Sequence, residues 1–157
     1  MKLTAHEEYG FRCLVKIGSS GGSLTIPEIS DAEGISQAYV AKLMRMLRRG
    51  GFVKSARGKV GGYSLARPAS QIVVGEVLAL LGGKMFESDF CESHSGTSHV
   101  CAHSTDCSIR TLWSRVQGAL DKVLGQTTLA DVLRSDPQVS AFLTTLPSPA
   151  GAIAHRS

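Results

Sequence analysis

Along the first half of the chain, apolar residues recur at roughly helical spacing and glycines interrupt them. Tyr9, Cys13, Leu14 and Ile17 form the first such group, and GSSGGS ends it. Thr4-Ala5-His6-Glu7 fits a capping box, in which the threonine hydroxyl and the glutamate carboxylate satisfy each other's free backbone N–H groups. A helix over about residues 4–18 is predicted. In the next segment Pro27 suits a first helical turn, Ile29 and Ala32 are expected to face inward, and Gly34 breaks the chain. Ser36 can then cap a helix with Val40, Leu43, Met44 and Leu47 as its apolar positions, ended by Gly50 and Gly51.

Two helices joined by a tight glycine turn have the form of a helix-turn-helix. Directly after them, Phe52-Val53 and Tyr63-Ser64-Leu65 read as two short strands around the loop Arg57-Gly58-Lys59-Val60-Gly61-Gly62. A hairpin in that place is the wing of a winged helix, and the order of the elements carries this reading more than any one of them. QIVVGEVLALL predicts a further helix over about 70–81. From Ser108 a longer pattern begins: Ile109, Leu112, Trp113, Val116, Ala119, Leu120, Val123 and Leu124 form an unbroken apolar stripe on a helix ending near Gly125. TTLADVLRS reads as one more short helix capped by Thr127 or Thr128, and the tail TTLPSPAGAIAHRS reads as loose. The fold class is therefore mainly α with a small β-hairpin wing. Its parts are a winged helix-turn-helix over 1–83, a cysteine-bearing loop over 84–107, a helical unit over 108–145 and a flexible tail over 146–157.

Charge sharpens this picture. Residues 1–70 hold 11 Lys and Arg against 5 Asp and Glu, whereas residues 71–157 hold 6 against 8, so the overall +4 divides as +6 and −2. A basic front half suggests a polyanionic partner, here a double-stranded DNA operator. No apolar run approaches the ~20 residues of a membrane span, and the start MKLTAHEEYGF has no apolar core for a signal peptide. A cytoplasmic protein with no membrane partner is expected. No nucleophile–base pair or phosphate loop argues for an enzyme or for a small-molecule substrate.

In a helix-turn-helix the second helix enters the major groove, with its N-terminal residues at the base edges. Those residues are Ser36, Gln37 and Tyr39, with Lys42 one turn on. Glutamine can make paired contacts to adenine, and serine and tyrosine bond bases or phosphates. Lys42, Arg45, Arg48 and Arg49 lie off the apolar stripe, where they can meet phosphates. In the wing, Gly58 and its fellow glycines let the backbone approach, Arg57 and Lys59 can probe the minor groove or clamp its backbone, and Tyr63 follows at the strand.

Chemistry of another kind lies in CESHSGTSHVCAHSTDC, residues 91–107, which holds three of the four cysteines and three of the five histidines. Clustered thiols in a reducing compartment read as metal-binding or redox-active, and three of them make a poor disulfide frame. The spacings C-x9-C and C-x5-C are too wide for a zinc knuckle and suit a loop around a larger object such as an iron–sulfur cluster. Cys91, Cys101 and Cys107 are then its ligands, with His94, His99, His103 and Asp106 near enough to complete the set. A zinc site and metal-free reactive thiols are the alternatives, as is an iron–sulfur carrier or electron-transfer protein. Cys13, on an apolar helical face, reads as a packed core thiol. His6 and His155 are given no role.

The opening MKLT, the stretch GISQAYVAKLMRMLRRGGFVKSARGKVGGYSLAR, the VGEVL helix and the three cysteines together resemble the IscR/NsrR-type regulators of the Rrf2 family, over about residues 1–125. The resemblance implies a bacterial winged-helix transcription factor, a homodimer with the helix at about 108–125 as its spine. It also implies an iron–sulfur cluster on Cys91, Cys101 and Cys107 that alters DNA binding in response to iron, oxygen, redox poise or nitric oxide. In members with a two-iron cluster a histidine lies three residues after the last cysteine, where this chain has Arg110. In members with a four-iron cluster an acidic residue of the partner's first helix completes the set, and its match is Glu8. A related sensor adds a histidine four residues on, where Arg12 stands. The resemblance thus favours Glu8 and a 4Fe–4S over a 2Fe–2S cluster. The first cysteine gap departs from the family's more common x5.

Overall fold

The computed structural model describes residues 3–56, 58, 61–83 and 107–134. Its elements follow the predicted order: α1 (Ala5–Ser20), α2 (Ile26–Glu33), α3 (Gln37–Arg49), β1 (Val53–Ala56), β2 (Gly62–Leu65), a 3-10 turn (Ala69–Gln71), α4 (Val74–Gly82), α5 (Ser108–Gln126) and α6 (Leu129–Val132). It is a mainly helical chain with one two-stranded antiparallel hairpin.

The starts of three helices are fixed by the same local device. Thr4 and Glu7, Thr25 and Glu28, and Thr128 and Asp131 each form a capping box, so backbone N–H groups that the helix leaves open are satisfied within one turn. The capping bonds hold the Glu28 carboxyl below the usual carboxylate range, through the Thr25 backbone first and its hydroxyl second. Of the two candidate caps for the last helix, Thr128 takes the role.

The core gathers around α1. Cys13, Leu14 and Ile17 meet Ile29 and Ile35 from the helix-turn-helix, Val40, Leu43, Met44 and Leu47 from α3, Phe52 and Val53 from the wing, and Ile72, Val77, Leu81 and Leu129 behind. Ala32, expected inside, is exposed, and Ile35 is buried in its stead. The cause lies at the end of α2. Gly34 adopts φ +66°, the amide N–H groups of Gly34 and Ile35 both donate to the Ser30 carbonyl, and the next apolar residue is thrown back onto the helix. That turn accounts for Ile35, whereas Ala32 lies inside α2 and on its exposed side.

Behind the core, α4 and the end of α5 are stitched by backbone. The Val74 N–H donates to the Thr127 carbonyl at 2.9 Å and the Leu129 N–H to the Ile72 carbonyl at 2.8 Å. Leu129 is fully buried. Thus α6, grouped in the sequence with the long helix, packs into the winged-helix core. The rest of α5 does not. Its 19 residues include none that are buried, and Ile109 and Leu112 are 58% and 55% exposed. Of the apolar stripe read from the sequence, Leu120 and Leu124 are half-buried on the α4 side, while Ile109, Leu112, Trp113 and Val123 stay exposed among the described residues.

Candidate nucleic-acid interface and thiol site

Helix α3 begins at the Ser36 cap, whose hydroxyl oxygen accepts the Tyr39 N–H at 3.3 Å. Its apolar positions pack onto α1, which turns the opposite side outward. On that side Ala38, Lys42, Arg45 and Arg49 recur at helical spacing and all are exposed, with Ser36 and Gln37 at the leading end. Lys42, Arg45 and Arg49 form no ion pair with any described residue. Their charge is left for an outside anion. Arg48 differs: its guanidinium donates to the Ser55 hydroxyl at 3.2 Å and so ties α3 to β1.

Tyr39, predicted at the DNA surface, turns in part toward α1. It is half-buried against the core, its ring packs edge-on to His6 and Tyr9 at 5.3 and 6.0 Å, and its hydroxyl pairs with His6 Nδ1 at 3.1 Å. The reason is angular. At the third helical position its side chain falls beside the apolar stripe, which faces α1. His6, given no role in the sequence, is its partner. Arg12, noted only as standing where a histidine might have been, donates to the Glu33 carboxylate at 3.0 Å and to the Glu33 carbonyl at 2.8 Å, closing the last turn of α2. His6, Tyr9 and Arg12 recur every three residues on α1, a polar and aromatic stripe beside the apolar one. That period was the signal available in the sequence.

In the wing, β1 and β2 pair with Val53 opposite Leu65 and Ala56 opposite Gly62. Tyr63 also exchanges backbone hydrogen bonds with Leu24, at 2.7 and 2.9 Å, so the segment before α2 lies along the edge of β2 near the loop end of the hairpin. Its side chain is half-buried against the core. Arg67 leaves the wing stacked over Phe52 and paired with Glu76 at 2.9 Å. Gly58 is exposed with φ +111° at the tip, while Arg57 and Lys59 lie outside the described residues. Gly62 has φ +144°, and a Cβ there would stand 2.6 Å from the Leu24 carbonyl oxygen. Gly62→Ala combines a strained backbone with a collision against main chain and is expected to cost about 1–3 kcal/mol. Chemical denaturation of the variant checks this, and an unchanged midpoint would show that the Leu24 rung yields.

The thiols divide sharply. Cys13 is fully buried, as predicted for a core thiol, and burial, aided by the Glu33 carboxylate, pushes its pKa up to about 11. It stays protonated and inert at neutral pH. Cys107 is the N-cap of α5, partly exposed, with its Sγ accepting the Arg110 N–H at 3.3 Å. Its sulfur therefore sits at the head of α5, within reach of solvent. Cys91 and Cys101 lie outside the described residues, as do His94, His99, His103 and Asp106. Glu8 is exposed in the first turn of α1, and its carboxylate makes no ion pair with a described residue. Among the described residues no helix is long and apolar enough to cross a membrane.

The family model for Rrf2, described as an iron-dependent transcriptional regulator, matches residues 3–135. Protein rrf2 of Nitratidesulfovibrio vulgaris is 36% identical over 136 residues, 85% of this chain and 88% of its own. Among solved structures, IscR of T. potens aligns with a TM-score of 0.67 at 27% identity, covering 94% of this chain and 93% of that one. CymR of B. subtilis, the global cysteine regulator, aligns with a TM-score of 0.64 at 25% identity, covering 85% and 96%. A winged helix with an exposed basic face, matched by this family over its whole described length, leads to one conclusion: the chain belongs to the Rrf2 family and is a transcriptional regulator, not an enzyme.

Proposed function

We propose that the protein is a homodimeric repressor-type regulator whose operator binding is set by an iron–sulfur cluster held on Cys91, Cys101 and Cys107, with Glu8 of the partner subunit as the fourth ligand. The DNA-binding half rests on one observation: Lys42, Arg45 and Arg49 share an exposed face of α3, and no carboxylate among the described residues pairs with them. Ser36 and Gln37 lead that face and supply base-directed donors and acceptors. Arg57, Gly58 and Lys59 at the wing, with Tyr63 tying β2 to Leu24, extend the contact along the backbone. Two such faces on one dimer meet half-sites about 34–36 Å apart for successive turns of DNA.

The sensing half draws on the donor chemistry of Cys107 and on the cysteine spacing. A partly exposed cysteine sulfur, a soft ligand by type, stands at the root of α5. A bound cluster, of 4Fe–4S type in this reading, would supply sensitivity to oxygen, nitric oxide or iron supply. Cys107 couples that site to α5, and Glu8 couples it to α1, which packs on α3. Tenfold control of affinity needs only about 1.4 kcal/mol of such coupling. Likeness to CymR favours a second reading, in which the same cysteines act as thiols without metal.

The basic face is tested by salt titration. Lys42→Ala and Arg45→Ala are each expected to weaken binding alike across DNA sequences and to flatten the slope of log K against log salt by about 0.9. Fluorescence anisotropy on labelled duplexes measures it. Slopes equal to that of the unsubstituted protein would remove α3 from the interface.

A further inference from the structure

We infer that His6 is a positioning residue for DNA reading, which holds Tyr39 and through it the leading turn of α3. This rests on the proposal that α3 reads DNA. Tyr39 belongs to the same turn as Ser36 and Gln37, and its N–H closes that turn onto the Ser36 hydroxyl and carbonyl, at 3.3 and 3.0 Å. Its phenol reaches across to α1, where His6 Nδ1 and the rings of His6 and Tyr9 receive it. Arg12, with its guanidinium 5.5 Å from the Tyr9 ring centroid, bonds the end of α2. The glycine turn between α2 and α3 is therefore gripped from α1 on both flanks. The His6 bond fixes the α3 flank.

The two kinds of DNA contact differ in tolerance. Hydrogen bonds from the short side chains of Ser36 and Gln37 to base edges weaken steeply with small errors of distance and angle. Lys42 and Arg45 reach phosphates on long, flexible stems and absorb such errors. Freeing Tyr39 lets the leading turn rotate slightly. Sequence discrimination then falls while general affinity for DNA persists. A residue that merely stabilised the domain would not separate the two.

The test uses the full chain and two duplexes: one selected from a randomised pool by the unsubstituted protein, and a scrambled version of it. His6→Phe and Tyr39→Phe are each expected to lower the ratio of the two affinities about three- to tenfold, the range a single hydrogen bond supports. Affinity for the scrambled duplex and its salt slope stay unchanged. The double variant falls no further than either single one. His6→Asn, whose amide oxygen can take the place of Nδ1, restores most of the ratio. Should His6→Phe fold poorly, Tyr39→Phe against His6→Asn still decides, because both keep the packing largely intact. An unchanged ratio in both single variants overturns the inference, as does a fall in Tyr39→Phe alone, which would mean that Tyr39 touches DNA itself. If the unsubstituted protein selects no sequence, α3 is not the reader, and the inference falls with that proposal.

Discussion

Leu112→Glu is expected to leave the winged-helix unit folded and to weaken operator binding by about a hundredfold or more. Leu112 is 55% exposed on a helix whose neighbours Ile109 and Trp113 are also uncovered, yet this face carries the longest apolar stripe in the sequence. In the proposed homodimer the exposed part of that stripe would pair with the same helix of the partner. A glutamate placed in it costs little in a lone subunit, where water reaches it. Between two paired helices it would be buried without a partner, at about 3 kcal/mol or more, which by mass action is the hundredfold loss. Sedimentation with and without operator, beside circular dichroism, checks the two halves separately. A variant that stays dimeric would show that α5 is not the spine.

Cys107→Ser is expected to have the second large effect. Anaerobic preparations should lose nearly all bound iron, since serine is a far poorer ligand than thiolate. Cys13→Ala is the control. That thiol is enclosed by core residues and held protonated, so its removal should lower stability and leave iron content unchanged. The pair separates loss of a ligand from loss of a cysteine. Iron retained in Cys107→Ser would take the N-cap of α5 out of the ligand set.

Most of the architecture was legible because local chemistry and long-range packing agree. Thr4 and Glu7 announce a helix start from four residues, and the structure forms that capping box. Val40, Leu43, Met44 and Leu47 define an inner face that is buried throughout. What escaped was set by other segments. Ile35 reached the core because a left-handed glycine turned the chain just before it, while Ala32 stayed on the outer side of α2. Tyr39 looked like a base contact from its position in α3, but which of its neighbours it meets depends on where α1 lies. Leu129 belongs to the core only because a two-bond bridge draws the end of α5 back to Ile72. Periodicity reports which face is apolar and says nothing of what will cover it.

The same distinction applies at the site. The exposed basic face of α3 follows from composition and helical phase together, and a sequence yields both. The pairing of His6 with Tyr39 spans 33 positions and joins two residues that carry no motif. For the thiols, spacing singled out Cys91, Cys101 and Cys107, and geometry adds the helix N-terminus beneath Cys107.

The central claim is that a cluster on these cysteines governs operator binding. Titration of the selected duplex with one anaerobic preparation, before and after its iron is stripped by a chelator, tests it most directly. At least a tenfold change in affinity, reversed when iron and sulfide are restored, is the result the account requires. The same affinity in both states, or a colourless preparation without iron, would contradict it.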